Sequence, residues 1–289
     1  MSNDRRFSSL PTEAVRRSFP PLESGVQAVR ALARSASEAA MAVGRVAGSV
    51  DRAASLVAAA LCDYRKLLFL GAGTSGRLAV LEATELWPTF RVKAEAAIAG
   101  GHRALVRSVE GAEDDASAGA RAASRLRRGD VAIGVTASGV TPYVDGALRK
   151  ARSRGAATIL VTCNPRTSIR ARVVVALATG AEPLAGSTRM NAGTATKIAL
   201  NAITTTAAAK AGKTWRNRMV DVLATNAKLR DRAKRLVVEL GEVAPARAAA
   251  ILRETASAKE GIVMARLGCG VVEARKRLKR GSIEAALQP

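Results

Sequence analysis

Glycines and hydroxyl side chains alternate in one short segment of the sequence. Residues 71–76 read GAGTSG, so three glycines surround Thr74 and Ser75. Glycine permits tight turns and lets backbone N–H groups approach a ligand closely. If a helix begins here, its first N–H groups lack partners within the helix and attract anions. The spacing also fits a dinucleotide fingerprint, but only Glu95 is available as the acidic ribose partner, so we favour a small phosphorylated ligand.

Two later segments repeat this chemistry. Ser138 and Thr141 form a small hydroxyl-bearing turn just before Pro142, which suits the first position of a helix. Ser187 and Arg189 belong to a third loop that is rich in glycine and hydroxyl groups. Arg189 has two equally supported roles, as an anion ligand or as a structural residue. Hydroxyl turns at the ends of separate strands predict one shared pocket for the ligand.

Carboxylates are the candidates for acid–base chemistry. Four of them, Glu110, Glu113, Asp114 and Asp115, fall within six residues of an otherwise basic region. They could equally form a solvated helix start, where acidic groups complement the helix dipole. His102 is the only histidine, so a catalytic triad or a site with several histidines would depend on that one residue. The three cysteines lack C-x-x-C spacing, which argues against a zinc site and against a disulfide framework.

Alternating strands and helices must position these groups. A wholly apolar run at residues 67–70 predicts a strand buried on both faces of a parallel sheet, followed by a helix that Pro88 ends. This alternation of strands and helices predicts a doubly wound α/β fold, whose ligand lies at the carboxyl ends of the strands. Four more strands are predicted from the runs at residues 92–99, 131–136, 157–162 and 173–178.

Helical segments precede and follow the sheet region. Apolar residues at helical spacing predict two or three helices between Thr12 and Ala60, and residues 104–126 are predicted to be helical in two pieces. Three charged helices are expected after Ala224. We therefore divide the chain into an N-terminal helical segment (1–60), an α/β domain (61–224) and a small C-terminal helical module (225–289).

The chain of 289 residues carries a net charge of +22, and most of this excess lies in its second half. A basic surface can bind nucleic-acid phosphates, and residues 275–280 are the best candidates. Aromatic residues are only 3% of the chain, which leaves few platforms for stacking bases. We therefore favour a solvated cationic surface that attracts an anionic metabolite. No apolar stretch predicts a membrane span or a signal peptide, and the expected compartment is the cytoplasm.

Six segments of the chain occur in a characteristic order and spacing. They are LGAGTSGRL (70–78), EGAEDD (110–115), ASGVTPYV (137–144), TCNP (162–165), GSTRMNAGTATK (186–197) and NRMVDVLATNAKLRDRA (217–233). Together they resemble the N-acetylmuramic acid 6-phosphate etherases, which belong to the sugar isomerase (SIS) domain superfamily. The N-terminal region matches this family poorly beyond Thr12 and Glu13. The family's usual lysine after Arg-Met is Asn191 here, and its Ser-Glu-Cys-Pro-Pro is Thr-Glu-Leu-Trp-Pro at residues 84–88.

The resemblance implies a five-stranded SIS fold, a homodimer and a sugar phosphate substrate, without a metal ion or a cofactor. It implies cleavage of the D-lactyl ether of N-acetylmuramic acid 6-phosphate to N-acetylglucosamine 6-phosphate and D-lactate. The family's two functional glutamates fall on Glu85 and Glu113. Opening of the sugar ring exposes an aldehyde that acidifies the neighbouring C–H bond. A carboxylate can then remove this proton, lactate leaves with the help of an acid, and water adds back.

The hydroxyl turns would then hold the 6-phosphate. Ser75 and Glu85 lie ten residues apart on one predicted helix, which corresponds to about 15 Å along its axis. A hexose phosphate is too short to span this distance comfortably, so we expect Glu85 to reach a sugar bound to the partner subunit. A helix that starts later or bends would instead close the site within one chain. The predicted substrate-binding residues are Thr74, Ser75, Ser138, Thr141, Ser187 and Arg189.

Two rival functions share some of these features. A non-catalytic sugar-phosphate sensor, like the vertebrate glucokinase regulator, would have the same phosphate turns, but the presence of both glutamates favours an enzyme. A nucleic-acid-binding regulator with a SIS sensor domain should carry a helix-turn-helix module. The first 60 residues show no clear module of this kind, so a nucleic-acid partner is not expected.

Overall fold

Five parallel strands form the central sheet, which we describe from a computed structural model for residues 10–289. The strands are β1 (Leu67–Gly71), β2 (Glu95–Ile98), β3 (Val131–Thr136), β4 (Ala157–Thr162) and β5 (Val173–Ala176). Across the sheet they lie in the order β2-β1-β3-β4-β5, and every neighbouring pair is parallel. The predicted α/β fold with a five-stranded parallel sheet is therefore confirmed.

Burial explains which strands the sequence predicts well. Every residue of β1 and β3 is buried, as expected for continuous apolar runs that are covered on both faces. Strand β2 lies at the edge of the sheet, and its first two residues are exposed. It is shorter than the predicted 92–99 by three residues at its start and by one at its end, where the chain turns. The Gly101 N–H donates to the Ile98 carbonyl at 2.9 Å, and Gly100 and Gly101 both have positive φ.

By its internal contacts the chain divides into two compact units. The first contains the described residues up to Glu85 together with Lys93–Thr205, and the second contains Leu86–Val92 and Thr206–Pro289. The division into segments made from the sequence stays a prediction. The helices up to residue 210 are α1 (Val26–Arg45), α2 (Ala47–Cys62), α3 (Gly73–Phe90), α4 (Ala116–Ala122), α5 (Pro142–Ser153) and α6 (Asn191–Lys210).

Two predictions for this region need correction. Helix α3 does not stop at Pro88 but continues to Phe90, since a proline so near the end of a helix removes only one late hydrogen bond. Arg91 then ends the helix with φ 55°, and its N–H donates to the Trp87 carbonyl at 3.0 Å. The helical region predicted at 104–126 contains only the short helix α4, preceded by 3-10 turns at His102–Leu105 and Ala112–Asp114.

The second unit contains more helices than predicted. Five helices follow Ala224 instead of three, because polar side chains start new helices within the segment. Asn226, Ser257 and Ser282 each accept a hydrogen bond from the backbone N–H three residues later, which satisfies a free donor at a helix start. No helix among residues 10–289 is long and apolar enough to cross a membrane. The five helices are α7 (Ala227–Gly241), α8 (Pro245–Glu254), α9 (Ala258–Leu267), α10 (Val271–Leu278) and α11 (Ile283–Leu287).

Candidate active site

A cavity of about 250 Å³ lies at the carboxyl ends of β1 and β3. These strands are neighbours, but the chain leads from β1 to β2 on one side of the sheet and from β3 to β4 on the other. Such a reversal of strand order opens a crevice between the loops, where doubly wound proteins bind ligands. The four hydroxyl residues predicted to share a pocket all line this cavity: Thr74, Ser75, Ser138 and Thr141.

The turn after β1 packs tightly because of its glycines. A Cβ atom on Gly76 would lie 2.5 Å from Ile98 Cγ1 and 2.7 Å from the Gly71 carbonyl oxygen, so only glycine fits there. Helix α3 therefore starts directly against the strand ends. Its first N–H groups have no acceptor within the helix, and Thr74 and Ser75 place two hydroxyls beside them. This arrangement is suited to binding an anion.

The turn after β3 forms a small network of hydroxyl groups. Thr136 Oγ1 lies 2.7 Å from Thr141 Oγ1 and 3.3 Å from Ser138 Oγ. Neighbouring loops hold the backbone of this turn in place, since Asn164 Nδ2 donates to the Ser138 carbonyl at 2.8 Å and Thr167 Oγ1 donates to the Gly139 carbonyl at 2.6 Å. The hydroxyls are thus preorganised on the opposite wall of the cavity from helix α3.

Two carboxylates line the same cavity. Glu113 comes from the 3-10 turn after β2, and its side chain is exposed with no partner among residues 10–289. Glu13 is the second, and the sequence analysis did not assign it a role. The Gly186 N–H donates to the Thr12 carbonyl at 2.9 Å, which brings this early segment to the cavity. The family resemblance at Thr12 and Glu13 was the signal that could have indicated it.

Glu85 lies outside this cavity. It is exposed on helix α3, near the far end from Thr74 and Ser75, and it is absent from the cavity wall. The carboxylate of Glu82, one turn earlier, is buried instead. It accepts hydrogen bonds from Asn201 Nδ2 at 2.9 Å and Thr204 Oγ1 at 2.6 Å, both on helix α6. The described chain therefore brings Glu113 but not Glu85 to the hydroxyl turns.

The third hydroxyl loop contributes other residues than predicted. Gly186 and Thr188 line the cavity, whereas Ser187 and Arg189 do not. Arg189 is exposed on the same loop. Helix α6, which follows this loop, does not offer a free N-terminus, because the two oxygens of Glu182 accept the Asn191 and Ala192 N–H groups at 2.8 and 2.9 Å.

Asn191, where the family usually has lysine, is buried behind the loop and does not line the cavity. Its Nδ2 donates to Ser35 Oγ at 2.8 Å, and the same oxygen accepts from Arg16 Nη1 at 2.8 Å. The departure from the family therefore lies at a contact between this loop and helix α1, and not in the cavity wall.

Glu182→Gln is expected to destabilise the protein by about 1 to 3 kcal/mol, because an amide cannot accept from both N–H groups and leaves one buried donor unpaired. Burial raises the pKa of Glu182 above its ordinary value of 4.5. A carboxyl group whose pKa is higher in the folded state than in the unfolded state stabilises the fold most at pH values below its unfolded-state pKa. This contribution is lost as the pH rises through its folded-state pKa. The difference in unfolding free energy between wild type and variant should therefore narrow from pH 4 towards pH 8.

Urea unfolding at several pH values measures both effects. Glu23→Gln is the matched control, since Glu23 is exposed and should change stability by less than about 0.5 kcal/mol. A variant as stable as wild type at every pH would show that Glu182 does not secure the start of helix α6.

Comparison with known proteins assigns the chain to a family. The sequence profile of the glucokinase regulatory protein N-terminal SIS domain matches residues 35–152, and that of the SIS domain matches residues 105–206. The N-acetylmuramic acid 6-phosphate etherase of Rubrobacter xylanophilus is 45% identical, over 98% of this chain and 98% of that protein. The etherase of Serratia proteamaculans is 46% identical, over 85% of this chain and 86% of that protein.

Among solved structures, the Vibrio vulnificus NanR protein complexed with ManNAc-6P is similar with a TM-score of 0.47. It is 19% identical, and the match covers 76% of this chain and 72% of that one. The fold assignment rests on the strand order and on the SIS profile. With near full-length relatives at this level of identity, the chain belongs to the N-acetylmuramic acid 6-phosphate etherase family.

Proposed function

We propose that this protein cleaves the D-lactyl ether of N-acetylmuramic acid 6-phosphate, giving N-acetylglucosamine 6-phosphate and D-lactate in the recycling of cell-wall sugars. The observation that carries the proposal is the single cavity in which two hydroxyl turns face a free carboxylate, Glu113. An anion site and an acid–base group in one cavity suit a phosphorylated sugar. The names of the full-length relatives support the same substrate and reaction.

The hydroxyl turns hold the 6-phosphate. Thr74 and Ser75 donate from the start of helix α3, together with the free N–H groups of its first turn, and Ser138 and Thr141 donate from the other wall. Among residues 10–289 the cavity wall has no lysine or arginine, so hydrogen bonds and the helix dipole supply the binding. Ser187 and Arg189, on the loop beside the cavity, remain proposed substrate-binding residues.

Ser138→Ala is expected to raise the Michaelis constant for the sugar phosphate by about 10- to 100-fold, because a hydrogen bond to a charged group contributes roughly 1.5 to 3 kcal/mol. The turnover number should fall less. Initial-rate kinetics measure both quantities, and Ser153→Ala is the control because Ser153 lies at the other end of helix α5. An unchanged Michaelis constant would exclude Ser138 from the phosphate site.

Glu113 supplies one of the two carboxylates that the elimination requires. In the open-chain sugar the C1 aldehyde acidifies the C2 proton, and a carboxylate removes it. The electrons form a C2–C3 double bond while the C3–O bond breaks, and the ether oxygen leaves as the hydroxyl of lactate after taking a proton. Water then adds to C3 and a proton returns to C2, so the net reaction is hydrolysis. Such acid–base assistance contributes about 100- to 10,000-fold in rate.

The second carboxylate, Glu85, comes from a partner subunit in this proposal. Its exposed position on helix α3, outside the cavity of its own chain, supports a homodimer in which each Glu85 reaches the neighbouring site. The alternative is that the reaction uses carboxylates of one chain only. In this proposal the protein acts without a bound metal or cofactor and works in the cytoplasm.

Assay of D-lactate after incubation of the purified protein with N-acetylmuramic acid 6-phosphate tests the function. We expect stoichiometric release of lactate and N-acetylglucosamine 6-phosphate. Binding of the substrate with no lactate release at high protein concentration would instead indicate the sensor function of a glucokinase regulator. Tight sequence-selective binding to DNA at physiological salt, measured by gel shift, would indicate a nucleic-acid-binding regulator.

A further inference from the structure

A second cavity adjoins the active-site cavity. It has a volume of about 200 Å³, and three residues line both cavities: Ala72, Gly73 and Glu113. The start of helix α3 and the 3-10 turn that carries Glu113 therefore form the boundary between them. A ligand in the first cavity that reaches past the Glu113 carboxylate would enter the second.

The second cavity has cations, whereas no lysine or arginine among residues 10–289 lines the first. Arg77 and Arg107 both line it. Arg77 Nε donates to the Leu105 carbonyl at 3.0 Å, which fixes the guanidinium and leaves its terminal nitrogens available. Arg107 is exposed and its side chain has no partner among residues 10–289. Glu110 also lines the cavity, but its carboxylate already accepts from Ser108 Oγ at 2.6 Å.

These two sets of groups match the two anions of the substrate. The 6-phosphate is at one end of the open-chain sugar, and the lactyl carboxylate is attached through the ether oxygen at C3. With the phosphate on the hydroxyl turns and the C2–C3 bond beside Glu113, the lactyl arm points away from the phosphate. It would enter the cavity that contains the arginines. Guanidinium groups bind carboxylates through paired, charge-assisted hydrogen bonds.

We propose that Arg77 and Arg107 form a carboxylate subsite that binds the lactyl group of the substrate. This inference rests on the proposed function, which it extends by assigning the leaving group its own cavity. As the C3–O bond breaks, the ether oxygen gains a proton while the lactate carboxylate stays on the arginines. The subsite thus distinguishes an ether that carries a carboxylate from one that does not.

Arg107→Gln tests the subsite, because Arg107 is exposed and its replacement leaves the fold intact. We expect the Michaelis constant for N-acetylmuramic acid 6-phosphate to rise by about 10- to 100-fold, and inhibition by D-lactate to weaken similarly. Inhibition by N-acetylglucosamine 6-phosphate, which has the phosphate but no carboxylate, should be unchanged. Arg103→Gln is the matched control, since Arg103 is exposed on the same loop and lines neither cavity.

Other outcomes separate the explanations. If Arg107→Gln weakens inhibition by N-acetylglucosamine 6-phosphate as much as it weakens binding of the substrate, the arginines bind the phosphate. The proposed lactyl subsite is then wrong. If Arg107→Gln changes neither the Michaelis constant for the substrate nor the inhibition by D-lactate, the proposed subsite is also wrong. Lactate release by the wild type would still support the proposed function. If the wild type releases no lactate, the proposed function itself fails.

Two further measurements strengthen the test. The 3-O-ethyl ether of N-acetylglucosamine 6-phosphate lacks the carboxylate, so wild type and Arg107→Gln should bind it equally well. Arg77→Lys keeps the positive charge but cannot form paired hydrogen bonds to a carboxylate. It should therefore weaken inhibition by D-lactate more than inhibition by N-acetylglucosamine 6-phosphate. Stronger binding of the ethyl ether to the wild type than to Arg107→Gln would overturn the proposal.

Discussion

Replacing Glu113 with glutamine should lower the rate of lactate release by about 100- to 10,000-fold, because an amide can neither remove a proton nor donate one as an acid. Glu113 is the only one of the two family glutamates that lines the cavity with the hydroxyl turns. Glutamine has nearly the same shape, so the binding of N-acetylglucosamine 6-phosphate should change little. Initial rates and product inhibition together measure this separation of catalysis from binding.

Asp114→Asn is the matched control, because Asp114 is the exposed neighbour of Glu113 and lines neither cavity. Exchange of the C2 proton with deuterated water identifies the role of Glu113. If Glu113 is the base, Glu113→Gln abolishes both exchange and lactate release. If it is the acid, exchange continues while release stops. A variant with wild-type lactate release would remove Glu113 from the mechanism.

Mixing the Glu85→Gln and Ser138→Ala variants is expected to restore activity if the site is shared, when the assay uses substrate well below the raised Michaelis constant of Ser138→Ala. Glu85→Gln and Ser138→Ala each impair every site in their own homodimers. In a mixed dimer with shared sites, both lesions fall in one cavity and the other is intact, which gives about a quarter of wild-type activity after random exchange of subunits. If Glu85 serves its own chain, each cavity of the mixed dimer keeps one lesion, and the rate stays at the average of the two variants.

Differently tagged subunits show that exchange has occurred, since a mixed dimer is retained on both affinity resins. The control is Glu85→Gln mixed with a tagged copy of itself, which has no intact cavity in any arrangement. Purified mixed dimers with no more activity than the average of the two variants would place Glu85 in the reaction of its own chain. A monomer at working concentration with full lactate release would exclude a shared site altogether.

The parts of the fold that the sequence predicts best are those fixed by burial. Residues 131–136 form β3 as predicted, because an apolar, β-branched run in the middle of a parallel sheet is covered on both faces. Three helices were predicted after Ala224 where the structure has five, because helix starts such as those at Ser257 and Ser282 depend on a single polar cap. Such caps do not interrupt a helical pattern of apolar residues, so the sequence suggested longer helices.

The candidate site shows the same contrast. Thr74, Ser75, Ser138 and Thr141 could be placed in one pocket because each pair follows a strand directly, and neighbouring parallel strands end at the same edge. Glu13 could not be placed, since it reaches the cavity through a contact with a loop distant in the sequence. Ser187 and Arg189 were chosen over Thr188 because side-chain direction within a loop does not follow from residue type.

The hydrogen bond between the Thr12 carbonyl and the Gly186 N–H has a consequence for how the protein is made. Thr12 is translated 174 residues before its partner, Gly186. At about 5 to 20 residues per second, the ribosome needs roughly ten seconds or more to synthesise the segment between them. Strands β1 to β5 can pair during this interval, whereas the segment that carries Glu13 still lacks the Gly186 contact that brings it to the cavity. Ligand binding should therefore appear late on the ribosome, only after the loop that contains Gly186 has emerged.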